Sequence, residues 1–354
     1  MSYFRIVTAR KTTMSTKKKV VVTGGLGYIG SHTVVELMQQ GLEVVIIDNL
    51  CNSSVHILSQ IEEIVGKKPV FYQIDLVDIS AVREVFEKED IDSVIHFAAH
   101  LLVNESVVNP LKYYRNNLVS LINLLEVMNE FSVQKLLFSS SCTVYGDTKQ
   151  VPVTEETPVF KASSPYGATK IMGEQIIEDA VNSSPVLKSV LLRYFNPVGA
   201  HSSGKIGELS IGKPSHLFPI ISQAIESESI FMVFGKDYHT PDGTPVRDYI
   251  HVQDLASAHV AALQHMEKSS CSIDAFNIGT GNGFSVLEII REFENISKKK
   301  LKITFEERRE GDVEKIWADS NKAKEKLNWT PRFSLEEMVR SCLVWENYRS
   351  SRDW

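Results

Sequence analysis

From residue 19 onward the chain alternates short, nearly all-apolar runs with longer stretches in which apolar residues recur every three or four positions. The short runs read as buried strands and the longer stretches as amphipathic helices. The pattern predicts strands at 19–23, 43–48, 70–74, 93–98, 135–139 and 189–194. Helices are predicted at 31–40, near 112–130 and from Tyr166 onward, with another helical stretch before residue 70. Strands without a polar face, separated by helices, imply an α/β fold: a doubly wound, Rossmann-type parallel sheet covered on both sides. After Asn196 the texture shifts to Gly, Ser and Pro with short runs at 230–234, 247–252, 275–278 and 301–305, the pattern of a smaller C-terminal α/β lobe. The expected organisation is an extension at 1–18, a nucleotide-binding domain at 19–197 and a substrate domain at 198–354, some of whose segments are free to return to the first domain.

Composition narrows the function classes. With 354 residues, 43% of them hydrophobic, 23% charged and a net charge of −6, the chain is an ordinary globular protein and a poor candidate for nucleic-acid binding. Its apolar runs are strand length, so neither a membrane span nor a membrane partner is expected. Cys51, Cys142, Cys271 and Cys342 are scattered without metal-type spacing, which points to free thiols in a reducing, cytoplasmic setting and to no metal site. Residues 1–18 carry Arg5, Arg10 and Lys11 among Ser and Thr with no acid; they fit a mitochondrial presequence, a disordered extension, or an upstream start ahead of Met14, and we carry the extension forward.

The first strand runs into Thr23-Gly24-Gly25-Leu26-Gly27-Tyr28-Ile29-Gly30-Ser31. Glycines here permit a tight turn, let backbone N–H groups approach a pyrophosphate, and let the following helix pack closely, with its N-terminus facing the anion. Asp48 closes the second strand about 18 residues beyond Gly30, where an acid binds the adenosine ribose hydroxyls and repels a 2′-phosphate. NAD is therefore the expected cofactor, with Asp75 at the end of the third strand as a further contact.

A second constellation carries chemistry. Tyr166 and Lys170 lie one helical turn apart, about 25 residues after the cluster Ser139-Ser140-Ser141-Cys142-Thr143. A free phenol titrates near ~10, so a general base needs its pKa lowered by about 3 units, or ~4 kcal/mol. A neighbouring ammonium acts in that direction. Ser141 and Thr143, at the carboxyl end of a strand, stand where a substrate hydroxyl would meet Tyr166.

Taken together, the glycine turn, Asp48-Asn49, His96-Phe97-Ala98-Ala99, Ser141-Cys142-Thr143-Val144-Tyr145-Gly146, Tyr166-Gly167-Ala168-Thr169-Lys170, the run from Arg193 to His201 and the run from Gly243 to Val252 resemble the UDP-glucose 4-epimerase family, within the extended short-chain dehydrogenase/reductase superfamily. The resemblance extends from about Lys19 to Trp345. It implies NAD that takes a hydride from C4 of UDP-glucose or UDP-galactose while Tyr166 removes the hydroxyl proton, a 4-keto sugar that turns over, and return of the hydride to the other face. It assigns cofactor contacts to Gly24, Gly27, Tyr28, Ile29, Gly30, Asp48, Asn49, Asp75, Leu76, Phe97, Ala98, Asn116, Tyr166, Lys170 and Tyr194. Catalysis falls to Tyr166, Lys170 and Ser141. Substrate contacts fall to Ser141, Thr143, Tyr166, Asn196, Leu217, Phe234, Arg247, Tyr249, Arg309 and Asp312. A homodimer through the helices near 112–130 and 166–180 is implied as well.

The chain departs from the family pattern in places. Where many members read Phe-Ala-Gly-Leu-Lys-Ala-Val-Gly-Glu-Ser, it has Phe97-Ala98-Ala99-His100-Leu101-Leu102-Val103-Asn104-Glu105-Ser106. We take Leu102 for the lysine that contacts the cofactor, and Asn104 for a glycine that positive φ would require. His216 stands for a substrate-side asparagine, and Ile316 for a residue of varying bulk beside the sugar. Two other functions are compatible with the fold: another nucleotide-sugar epimerase or 4,6-dehydratase, and a non-catalytic NAD- or nucleotide-sugar-binding regulator. The absence of an acid after Thr143 disfavours dehydration.

Overall fold

The computed structural model describes residues 19–159, 161–209, 212, 214–309, 312–352 and 354. The extension expected at 1–18 lies outside these residues, as do Ser210, Ile211 and Lys213 of the divergent stretch before His216.

The first half of the chain runs β1 (Lys19–Thr23), α1 (Tyr28–Gln39), β2 (Glu43–Ile47), α2 (His56–Val65), β3 (Val70–Tyr72), α3 (Ile79–Lys88), β4 (Ile91–His96), α4 (Val103–Val108), α5 (Pro110–Glu130), β5 (Lys135–Ser139), α6 (Pro165–Ser183) and β6 (Lys188–Tyr194). The second half runs β7 (Asn196–Val198), α7 (Leu217–Ser227), β8 (Ile230–Phe234), β9 (Val246–His251), α8 (Val252–Lys268), β10 (Ile273–Ile278), β11 (Gly283–Ser285), α9 (Val286–Ser297), β12 (Lys302–Glu306), β13 (Lys315–Ile316), α10 (Asn321–Leu327) and α11 (Leu335–Ser350).

Seven parallel strands form the main sheet in the order β10-β6-β5-β4-β1-β2-β3. All-apolar strands such as Val20-Val21-Val22 are buried on both faces because a helical layer covers each side. On one side Val34, Ile57, Leu255 and Leu263 belong to one core; on the other, Val82, Leu121, Leu124 and Ile177 belong to a second. The strand order reverses between β1 and β4, opening a crevice above their carboxyl ends where this fold binds ligands. β10 comes from the second half of the chain yet pairs with β6 from Ile273↔Ser189 to Ile278↔Tyr194. The other lobe joins β11-β9-β13 and β7, beside a parallel β8–β12 pair, over a core containing Phe218, Ile221, Phe293 and Met338.

Several boundaries differ from the sequence pattern for local reasons. α5 starts at Pro110, a residue suited to the first helical turn because its missing N–H has no partner there. β4 stops at His96, so Phe97 and Ala98 leave the sheet at the crevice. β7 was not expected, being three residues long with a central Pro.

Candidate active site

The glycine turn is built around contacts that exclude side chains. Gly24 has φ +67°, its N–H donates to the Ile47 carbonyl at 2.7 Å, and a Cβ on it would lie 2.9 Å from the Ala98 nitrogen. A Cβ on Gly30 would lie 2.1 Å from the Gly24 oxygen. Gly27 caps α1 without a side-chain hydrogen bond, and the first turn of α1 holds no acid. The amino end of this helix is thus left open to an anion. Buried Asp48 accepts from the Leu26 N–H at 3.0 Å through one oxygen, and from the Leu50 N–H at 2.9 Å and the Ser53 hydroxyl at 2.8 Å through the other. The acid chosen from the sequence for the ribose therefore also fastens the turn. Asn49 donates to Asp75 at 3.0 Å, bringing the ends of β2 and β3 together. These residues fit the dinucleotide: a helix end for the pyrophosphate, and carboxylates at neighbouring strand ends for the adenosine. The side chains of three assigned residues are engaged elsewhere. The Tyr28 phenol donates to the Gly199 carbonyl at 2.6 Å, Ile29 packs on the core, and Leu76 is buried in it. Only their backbone is left for a cofactor.

The candidate catalytic constellation is assembled by α6. Ser164 caps the helix by accepting from the Gly167 N–H at 3.2 Å, and Pro165 opens it, so Tyr166 falls in the first turn and Lys170 one turn on. Lys170 is buried; its Nζ donates to the Ser139 carbonyl at 2.6 Å and lies 5.9 Å from the centre of the Tyr166 ring. The Ser139 hydroxyl pairs with the Tyr194 hydroxyl at 2.5 Å. Ser141 caps the short 3-10 turn Cys142–Tyr145 by accepting from the Thr143 N–H at 3.2 Å. The Thr143 Oγ1 is buried without a partner in the protein. Burial raises the Tyr166 phenol above its ordinary value, with Ser141 pulling the other way. The lowering expected from Lys170 is therefore absent in the protein alone: desolvation dominates, and the one opposing pull comes from Ser141. Burial lowers Lys170 to about 8 against the opposing carboxylate of Glu174. Asn116 donates to Asn117 at 2.9 Å. Asn117 in turn ties Thr169 of α6 to His100 after β4, a clamp not anticipated from the sequence.

The assigned substrate residues gather on the other lobe. Arg247 on β9 pairs with Asp312, and Arg309 stacks over Phe234 with its guanidinium carbon 4.0 Å from the ring centre. Asn196 donates to the Asp248 carbonyl at 2.8 Å, fastening β7 to β9. Tyr249 is buried against Phe218, and Leu217 opens α7 and packs on the same core. The Cys142 thiol, between Ser141 and Thr143, is pushed up to about 12 by burial and feels the charges of Arg247 and Asp248, so the 3-10 turn faces β9. Asp248, unremarked in the sequence, accepts from Thr280 and Gly281 in the loop after β10 and from Ala318 after β13, and so fixes two loops.

Two of the departures from the family pattern differ from the expectation. Compared residue by residue, the lysine of the family pattern falls on Leu101; Leu102 is the N-cap of α4 with φ −78°. Asn104 lies inside α4 and not at positive φ, so the crowding expected of it does not arise. His216 caps α7 and pairs with Glu208. Ile316 is buried with Val144, Tyr145 and Phe195.

Residues 21–342 match the family described as GDP-mannose 4,6 dehydratase. The chain is 49% identical over 329 residues to the UDP-glucose 4-epimerase of Bacillus subtilis (strain 168), covering 93% of this chain and 96% of that one. It is 47% identical to UDP-glucose 4-epimerase 2 of Arabidopsis thaliana, over 93% and 95% of the two chains. The chain belongs to the UDP-glucose 4-epimerase family. The structure of the family member from Bifidobacterium longum, in complex with NAD+ and UDP, superposes with a TM-score of 0.91 at 43% identity, covering 94% of this chain and 99% of that one. The one from Stenotrophomonas maltophila, with bound NAD and formylated UDP-arabinopyranose, gives 0.92 at 46%, over the same shares. Members of this family are NAD-dependent isomerases, which agrees with the turn, the acid at β2 and the Tyr-Lys pair described above. Among the described residues no helix is long and apolar enough to cross a membrane.

Proposed function

We propose that this chain interconverts UDP-glucose and UDP-galactose by reversible epimerisation at C4 through a 4-keto sugar, with Tyr166, Lys170 and Ser141 as its catalytic residues. The observation that carries this reading is one buried cluster at the carboxyl edge of the sheet. There the Lys170 ammonium lies 5.9 Å from the centre of the Tyr166 ring, and the Thr143 hydroxyl, on the turn that packs against Gly167 of α6, is buried without a partner. NAD, bound across the turn and the ends of β2 and β3, supplies a hydride acceptor and donor. Tyr166 takes the proton of the C4 hydroxyl and returns it. Burial keeps the phenol protonated even with Lys170 one turn away, so further positive charge beside that ammonium, such as oxidised nicotinamide would supply, is needed for the proton to leave. Ser141 and Thr143 orient the sugar hydroxyl, the latter gaining a partner it lacks in the protein.

Arg247 and Arg309 bind the diphosphate, Asp312 the uridine ribose, and Asn196, Leu217, Phe234 and Tyr249 shape the nucleotide site. Because Arg247 and Asp312 pair with each other, the arriving nucleotide exchanges or shares that contact. The proposed division is residues 19–197 for NAD and 198–354 for the UDP-sugar, with α8 and β10 of the second part returning to the first domain. A homodimer across α5 and α6 is favoured by Ile122, Met172 and Leu111, which are 40%, 43% and 78% exposed on these helices. The free cysteines agree with a cytoplasmic location. The test is Tyr166→Phe: turnover of UDP-galactose should fall by about 10³-fold or more while UDP binding persists. Unchanged turnover would remove Tyr166 from catalysis.

A further inference from the structure

Three consecutive serines at the end of β5 make three different connections. Ser139 offers its carbonyl to Lys170 and its hydroxyl to Tyr194, and Ser141 faces Tyr166. Ser140 is turned away from the site, and its hydroxyl donates to Glu174 at 2.5 Å. Glu174 lies on α6 one turn beyond Lys170 and two beyond Tyr166. Arg193 of β6 grips it with both arms, Nε to Oε1 at 2.9 Å and Nη2 to Oε2 at 2.7 Å, and also donates to the Tyr145 hydroxyl at 3.2 Å. Both side chains of the pair are only 10% exposed.

A buried ion pair of this kind gives little net stability over well-packed apolar residues, because removing two charges from water offsets their attraction. Its placement is more informative. The Lys170 ammonium is itself buried, and Ser139 O is a neutral acceptor; a buried cation so held is costly unless negative charge stands near. Glu174 provides that charge from the same helix, and through Ser140 it also fixes the strand end that holds Lys170 and Ser141.

We infer that Glu174, held by Arg193 and Ser140, is a positioning residue that keeps Lys170 charged and aims both Lys170 and Ser141 at Tyr166. The inference rests on the proposed catalytic role of Tyr166 and Lys170. Glu174 does not touch substrate and transfers no proton. Its carboxylate favours the ammonium form of Lys170, which would otherwise lose its proton more readily in so dry a place. The other charged or titratable groups bearing on this region are Arg193 and Tyr145 on the Glu174 side, His96 at the end of β4, and Tyr194 on β6.

The test is the pH profile of kcat for UDP-galactose in the NAD-loaded protein. Glu174→Gln keeps the shape and removes the charge. The alkaline limb should move to lower pH by about one unit, with UDP affinity unchanged. Glu174→Asp, which retains the charge, should leave the limb near its wild-type position even where kcat is reduced. A limb unmoved in Glu174→Gln would overturn the inference, as would an equal shift in both variants, which a merely structural role predicts. If Glu174→Gln does not fold, Ser140→Ala carries the test: it cuts the link to the strand end and leaves the ion pair intact. Its kcat should fall about tenfold at unchanged KM, and wild-type kcat would overturn the inference. Tyr166→Phe assayed alongside separates the two levels. Turnover surviving that change refutes the catalytic reading itself and the positioning role with it, whereas loss of turnover there with an unmoved limb in Glu174→Gln refutes the positioning role alone.

Discussion

Acid should unfold this protein early, because four histidines are buried neutral. His32, His96, His251 and His259 are each 3% exposed or less, and burial lowers them to about 3, 3, 4 and 4 respectively. In the unfolded chain they take up protons near pH 6.5. These are bases whose folded pKa lies below the unfolded one, so below pH 6.5 the unfolded state binds more protons and stability falls as pH falls. Between pH 7 and pH 5 each histidine costs about 2 kcal/mol, about 8 kcal/mol together, which rivals the whole stability of a typical domain. Asp248 and Asp254, raised by burial, return part of this, as does His216, where burial pulls down but Glu208 pulls up by more. His100 and His201, also lowered by burial, add to the loss, so the four-histidine sum sets only its scale. Urea unfolding at pH 7 and pH 5 measures it, and His259→Gln separates one contributor. His259 binds only the Leu255 carbonyl through Nδ1, its Nε2 being unpartnered, so the variant should show a pH 7 to pH 5 loss smaller than wild type by about 2 kcal/mol. Equal losses in the two proteins, or no loss in either, would refute the reasoning.

Other substitutions probe the two halves of the site. Gly30→Ala drives a Cβ to 2.1 Å from a backbone oxygen, so the turn must shift; a loss of about 3 kcal/mol or more in urea unfolding is expected, with weakened NAD binding by fluorescence titration. A wild-type melting curve would show that the turn yields freely. Arg309→Ala removes a guanidinium stacked on Phe234 and should raise KM for UDP-galactose by about tenfold with little change in kcat, read from steady-state kinetics. A fall in kcat alone would place Arg309 near the reacting carbon instead of the nucleotide.

Much of the fold could be read from the chain because parallel strands buried on both faces leave an unmistakable run, as in Val20-Val21-Val22 or Leu136-Leu137-Phe138. The placement of the glycine turn, of Asp48 at the end of β2 and of Tyr166 and Lys170 one turn apart was legible as well, because it depends on local spacing, which sequence records directly. Residues that act across long separations were not. Asp248 ties loops far along the chain, and Asn117 joins α5 to α6, yet neither stands in a local pattern. Arg193 did leave a trace, as a lone cation within the apolar run Val190-Leu191-Leu192, but its partner on α6 could not be chosen from sequence. The direction of the Tyr166 shift was misjudged because spacing shows the helpful ammonium and conceals how dry the site is. The lysine position was a matter of counting, and Leu101 is its place.

The most direct test is to incubate the purified protein with UDP-galactose, with and without added NAD, and to follow UDP-glucose by chromatography. C4 epimerisation by this chain predicts UDP-glucose accumulating toward equilibrium with no net reduction of NAD. No UDP-glucose from protein verified to contain NAD would contradict it.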